Sequence, residues 1–143
     1  MQKQKTKDLE DILKRASSLE KDHIILNIED ISFVNYIHEL IKEKGLEKAK
    51  VIQQSQIPRT YAYQIFQGSK QAGRDKILQL AFAMQLTLEE TNRLLTIANH
   101  SHLYVKQQRD SIIIFAISNH YTLMEANELL DEFHHELLGD FSE

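Results

Sequence analysis

Apolar residues return every three or four positions through most of this chain, the spacing of one helix face. Leu9, Ile12, Leu13, Ala16 and Leu19 predict a short amphipathic helix from about Thr6 to Ser18. Ile24, Ile25, Leu26 and Ile28 break that spacing, so Asp22 to Asp30 reads as a connector crossing the core. Ser32 is suited to cap a helix whose stripe is Phe33, Ile37, Leu40 and Ile41, with Gly45 as its left-handed stop.

Beyond Leu46 the predicted elements shorten. A helix from Glu47 to about Gln54 meets a break through Ser55, Gln56 and Ile57. Pro58 then opens a helix from Arg59 to Gln67, where its missing N–H would have had no intrahelical partner, and Gly68 ends it. A polar loop, Ser69 to Gly73, leads to a helix from Arg74 to Met84. The next is opened by Thr87 with Glu90 three residues later, the spacing of a capping box. A final pair is expected over about Lys106 to Asn119 and, opened by Thr122 with Glu125, over Leu123 to Leu138.

These last elements contain an internal repeat. Residues 74–95 laid over residues 109–130 match at 10 of 22 positions, at a constant offset of 35. The matches include Arg74/Arg109, Asp75/Asp110, Asn92/Asn127 and both residues of the capping pair, positions with mechanical rather than merely apolar roles. The C-terminal third therefore reads as a second copy of the preceding helical hairpin. Two copies fall short of the roughly three repeats that a free-standing solenoid needs, so the second copy must lean on the first or on a partner chain.

Composition sharpens the fold class. With 4 Gly, 1 Pro, 42% apolar and 27% charged residues in 143, the chain favours helix over a turn-rich β architecture, and the expectation is an all-α protein. The absence of Cys excludes a disulfide framework and thiolate-held metal. No apolar run approaches the roughly 20 residues needed to cross a bilayer, and the start lacks an apolar signal core, so a cytoplasmic protein with no membrane partner is expected. The net charge of −4 conceals a division: residues 1–30 sum to −1, residues 31–76 to +4 and residues 77–143 to −7. A basic middle third can meet a polyanion locally while the acidic remainder limits indiscriminate binding.

Within that basic third lies LEKAKVIQQSQIPRTYAYQIFQG, Leu46 to Gly68. Val51, Ile52, Ile57, Ala62, Ile65 and Phe66 can lock two short helices at a steep angle, leaving Arg59, Thr60, Tyr63, Gln64 and Gln67 on the outer side. One helix braces and the next presents polar side chains, as a helix-turn-helix requires. The segment from about Ile31 to Ala98 resembles the lambda-repressor-like helix-turn-helix domain of bacterial and phage regulators, chiefly through the Leu46-to-Gly68 spacing and the YQIFQG ending. Ile52 and Gln56 stand where that family usually has a small residue and Gly, and Ser55 stands at a commonly apolar position.

The resemblance implies a five-helix domain over residues 31–98, preceded by a helix and connector (1–30) and followed by the repeated hairpin (99–143). It implies binding to double-stranded DNA, with Arg59, Thr60, Tyr63 and Gln64 reading base edges. Arg suits guanine, Gln adenine and the Thr methyl thymine. It further implies that Lys48, Gln67, Lys70 and Arg74 position the phosphate backbone. One such module contacts few base pairs, so a homodimer on two half-sites is the expected partner state.

The stripe Leu123, Ala126, Leu129, Leu130, Phe133 and Leu137 gives the C-terminal hairpin two readings: a contact for a dimer, effector or partner protein, or packing against the first copy. Tyr61 and Tyr63 could stack on unpaired bases, although in a helix they fit packing or a groove wall better. His100 and His102 have no nearby pair of carboxylates to complete a metal set, and His134 and His135 with Asp131, Glu132 and Glu136 read as the mixed polar face of the last helix, so neither metal nor cofactor is expected. No nucleophile elbow, HExxH pattern or phosphate-cradling loop occurs, and no enzyme is expected. The competing functional class is a helical adaptor on the same scaffold, with DNA binding weak or lost.

Overall fold

In the computed structural model, residues 2–15 and 32–139 are described here. They form eight α-helices and no strand: α1 (Gln2–Arg15), α2 (Phe33–Glu43), α3 (Lys48–Ser55), α4 (Arg59–Gln67), α5 (Arg74–Ala83), α6 (Leu88–Ile97), α7 (Gln108–Ser118) and α8 (Leu123–Glu132). The chain divides into two compact units, residues 1–30 and residues 31–143. In the first, α1 carries Lys14 and Arg15 in its last turn, where cations oppose the helix dipole. The expected connector at Asp22 to Asp30 lies outside the described residues.

In the second unit, one device closes successive helices. After α2, α5 and α7 a single residue turns left-handed, Gly45 (φ 63°), Gln85 (φ 53°) or His120 (φ 57°). The next N–H then reaches back to the last turn: Leu46 to the Ile41 carbonyl at 2.9 Å, Leu86 to Ala81 at 3.0 Å, and Tyr121 to Ala116 at 2.9 Å. These bonds satisfy carbonyls that a helix end leaves orphaned. α6 and α8 begin with complete capping boxes, Thr87 with Glu90 and Thr122 with Glu125. The unit thus ends in two packed hairpins, α5–α6 and α7–α8, preceded by α2, which packs on α4 and α6, and by α3, which packs on α5 and α4.

The repeat has a structural counterpart at the 35-residue offset. Arg74 Nη1 and Nη2 donate to the Asp110 carboxylate at 3.0 and 2.9 Å, and Arg109 donates to Asp75 at 3.0 and 3.0 Å, so each copy clasps the other. Each Nε donates to its own copy's trailing loop, to the carbonyls of Ser101 and Glu136 at 3.1 Å. Asn92 Oδ1 accepts the Leu103 N–H at 2.9 Å, and Asn127 Oδ1 accepts that of Leu138 at 2.7 Å, which draws Leu103 and Leu138 into the core.

α8 ends at Glu132 rather than Leu138. His134 turns left-handed (φ 63°), as Asn99 does 35 residues earlier (φ 65°), and the following segment folds back onto Asn127. Leu123, Ala126 and Leu130 consequently face the core, while Phe133 remains 48% exposed. Of the two readings of this stripe, packing within the chain accounts for most of it.

A second clamp joins α2 and its C-cap to α6. Lys44 Nζ lies 2.9 Å from Glu90 Oε1, and the Arg93 guanidinium sits 5.5 Å from the centre of the Tyr36 ring. Burial would raise the Glu90 pKa, but the Thr87 N–H and Lys44 outweigh it and hold the carboxyl below its usual range.

The two clasps are not equivalent. The Asp110 side chain is 3% exposed and that of Asp75 is 42%. Arg74→Ala, which strands a buried carboxylate, should destabilise the chain by about 3–5 kcal/mol. Arg109→Ala should cost about 1 kcal/mol or less in urea unfolding. Burial alone would raise the Asp110 pKa; hydrogen bonds from Arg74 and the Tyr104 N–H, with the charges of Arg74 and Arg109, hold it below the ordinary value. Its contribution should be complete above the unfolded carboxylate pKa, near 3.9, and fade as pH falls through the lower folded value. Asp110→Asn should flatten that acid limb in unfolding measured against pH.

Candidate nucleic-acid interface

The site is built on the turn between α3 and α4. Val51 and Ile52 bury α3 against α5, and Ser55, fully buried, closes the helix. Its hydroxyl donates to the Ile52 carbonyl at 2.6 Å and accepts the Ile57 N–H at 3.2 Å. Its own carbonyl accepts Gln79 Nε2 from α5 at 2.9 Å. A hydroxyl at a position the resemblance makes apolar is therefore fully partnered, and it organises the turn. Gln56 takes the left-handed conformation (φ 61°, ψ 14°), and Ile57 buries behind it.

α4 then leaves the turn with Ala62, Ile65 and Phe66 packed inward. Its far end is pressed on α2. The Gly68 backbone is left-handed (φ 85°), and a Cβ there would meet Val34 Cγ2 at 3.0 Å, so glycine is needed on two grounds. His38 on α2 places Nε2 3.1 Å from the Phe66 carbonyl, and its ring meets Phe66 edge-on at 5.6 Å.

Arg59, Thr60 and Gln67 are exposed, and Tyr63 and Gln64 half-buried, so the five residues expected on the outer side do share it. Lys48, at the first position of α3, lies 5.4 Å from the Tyr63 ring centre, and the Arg59 guanidinium lies 5.6 Å from the same ring. A second aromatic has its own pair of cations: Lys70 at 5.5 Å and Lys76 at 5.1 Å from the Tyr61 ring. The Tyr61 hydroxyl donates to the Gln71 carbonyl at 3.4 Å. Each tyrosine ring thus has two cations within the range of attraction to its face, and Lys48 also lies 5.3 Å from the Phe66 ring centre.

Arg74 departs from this set. Four of its N–H donations go inward, to Asp110 twice and to the Ser101 and His102 carbonyls, which removes it from the expected phosphate-contacting group. Lys76, two residues on, is one of the cations beside Tyr61. Two residues apart on a helix are about 200° apart in direction, so Arg74 and Lys76 could not both have pointed the same way. That geometry was available in the sequence; the inward pull of Asp110 was not.

The charge of the surface follows. From Lys48 to Arg74 the chain has five basic residues and no acidic one. α4 has neither an acid in its first turn nor a side-chain cap, so its N-terminal partial positive charge adds to that of the basic residues, whereas α3 starts from Glu47 as its N-cap residue. Among the described residues no group of three or more His, Asp or Glu could hold a metal ion. His100 and His135 instead bond the Ala72 carbonyl at 2.9 Å and Gln108 Oε1 at 2.8 Å. The chain matches no protein-family model, no curated protein and no solved structure.

The turn yields a stability prediction. A left-handed non-glycine residue costs about 1–2 kcal/mol, and glycine costs about 0.5–1 kcal/mol in unfolded-chain entropy. Gln56→Gly should therefore stabilise by about 0.5–1 kcal/mol. Gln79→Leu, similar in size but unable to donate, should destabilise by about 1–3 kcal/mol by orphaning the Ser55 carbonyl. Urea midpoints of both variants moving in the same direction would contradict this account of the turn.

Proposed function

We propose that the protein is a sequence-specific double-stranded DNA-binding regulator whose α3–α4 pair acts as a helix-turn-helix and whose α4 enters the major groove. The observation that carries the reading is the outer face of α4: polar, free of acids, and flanked by cations held against Tyr61 and Tyr63. Arg59, Thr60, Tyr63 and Gln64 read base edges; Lys48, Gln67, Lys70 and Lys76 contact phosphates. A homodimer sets two copies of α4 on half-sites about one helical turn apart. The cytoplasm is where such a regulator works.

Selecting bound fragments from random duplex DNA tests class and symmetry together, since a two-fold dimer enriches a palindrome. On the selected site, Arg59→Ala should lose about 1–3 kcal/mol and relax the preference at one base pair. Lys48→Ala should weaken all sequences alike and lower the salt slope by about one. No duplex affinity even at about 50 mM salt, where phosphate contacts are strongest, would refute the reading in favour of a helical protein adaptor.

A further inference from the structure

Beside the turn, on a surface to which α4 contributes no residue, α5 and α8 border an open groove of about 940 Å³. Its apolar lining includes Phe82, Leu123, Met124 and Leu137. Met124 is 72% exposed, an unbranched, polarisable side chain that adapts to varied apolar surfaces. Glu128 and Asp131 also line the groove and follow Met124 at i+4 and i+7, so one side of α8 presents a methionine and then two carboxylates along about 10 Å.

Nothing nearby in the sequence neutralises those carboxylates. From Asp110 to Glu143 there are eight acidic residues and no Lys or Arg, and no ion pair involves Glu128 or Asp131 among the described residues. An apolar trough with an acidic wall matches an amphipathic helix whose charge is opposite, and about two turns fit its length. The same face of a second copy would bring carboxylate against carboxylate. We propose that this groove receives a basic amphipathic helix of a partner protein, its apolar stripe on Met124 and Leu137 and its Lys or Arg side chains on Glu128 and Asp131. Gln54 and Gln56 line the groove as well, so the bound helix abuts the turn that sets the direction of α4. The inference stands on the groove alone and does not require DNA binding.

The test begins by selecting a phage-displayed library of helix-forming 16-residue peptides on the full chain. The most enriched peptide is then synthesised with a fluorescent label and titrated by anisotropy. The expected peptides carry an apolar stripe flanked by Lys or Arg. Affinity should fall about tenfold or more for the double variant Glu128→Lys, Asp131→Lys and for Met124→Lys. All three positions are exposed, and melting curves should match those of the parent chain. The proposal is overturned if no peptide is enriched, if the enriched peptides are acidic or uncharged, or if neither variant changes their affinity. A dimer in sedimentation that Met124→Lys dissociates would give the groove to a second copy instead, and would equally overturn it.

Discussion

The hydrogen bond from Gln79 Nε2 to the Ser55 carbonyl, buried on both sides, is the constraint on which the arrangement around α3 and α4 depends. A carbonyl at a helix end cannot find an intrahelical donor, and leaving it unpaired in the core is expensive. By supplying the donor from α5, the chain ties the last turn of α3 to the first of the duplicated hairpins. Ser55 then uses its hydroxyl in both senses, so the left-handed Gln56 is held between partners fixed on either side. The direction in which α4 departs follows from that turn, and the residues α4 presents to solvent follow from the direction.

The second organising feature is repetition. The α5–α6 and α7–α8 hairpins exchange Arg–Asp pairs and treat their own trailing loops alike, which makes each copy the lid of the other. The turn from α2 to α3 repeats the left-handed closure without the sequence likeness. α4 stands outside the duplicated hairpins, and it shares with α3 a polar surface without acids.

Much of this was legible along the chain. Ser32 caps α2, Gly45 and Gly68 stop α2 and α4, and both capping boxes form because these motifs involve residues three or four apart, whose geometry a helix fixes locally. The inward set Ala62, Ile65 and Phe66 followed from the helical period. The early end of α8 was harder to see, since Phe133 and Leu137 continue the apolar spacing past a histidine that turns left-handed. The aligned copy held the signal, because Asn99 marks the same stop 35 residues earlier.

What the sequence by itself determined was therefore local: helices, their caps, the duplicated hairpin, and the segregation of basic from acidic residues. Only the tertiary structure decided that Arg74 serves Asp110, that Lys76 stands beside Tyr61, and that α5 and α8 leave an apolar groove between acidic and turn residues. Each of those outcomes depends on which groups meet across a separation of 15 residues or more. Hydrophobic periodicity indicates that a face will be buried; the partner with which a charge or carbonyl is satisfied is settled only when distant helices pack.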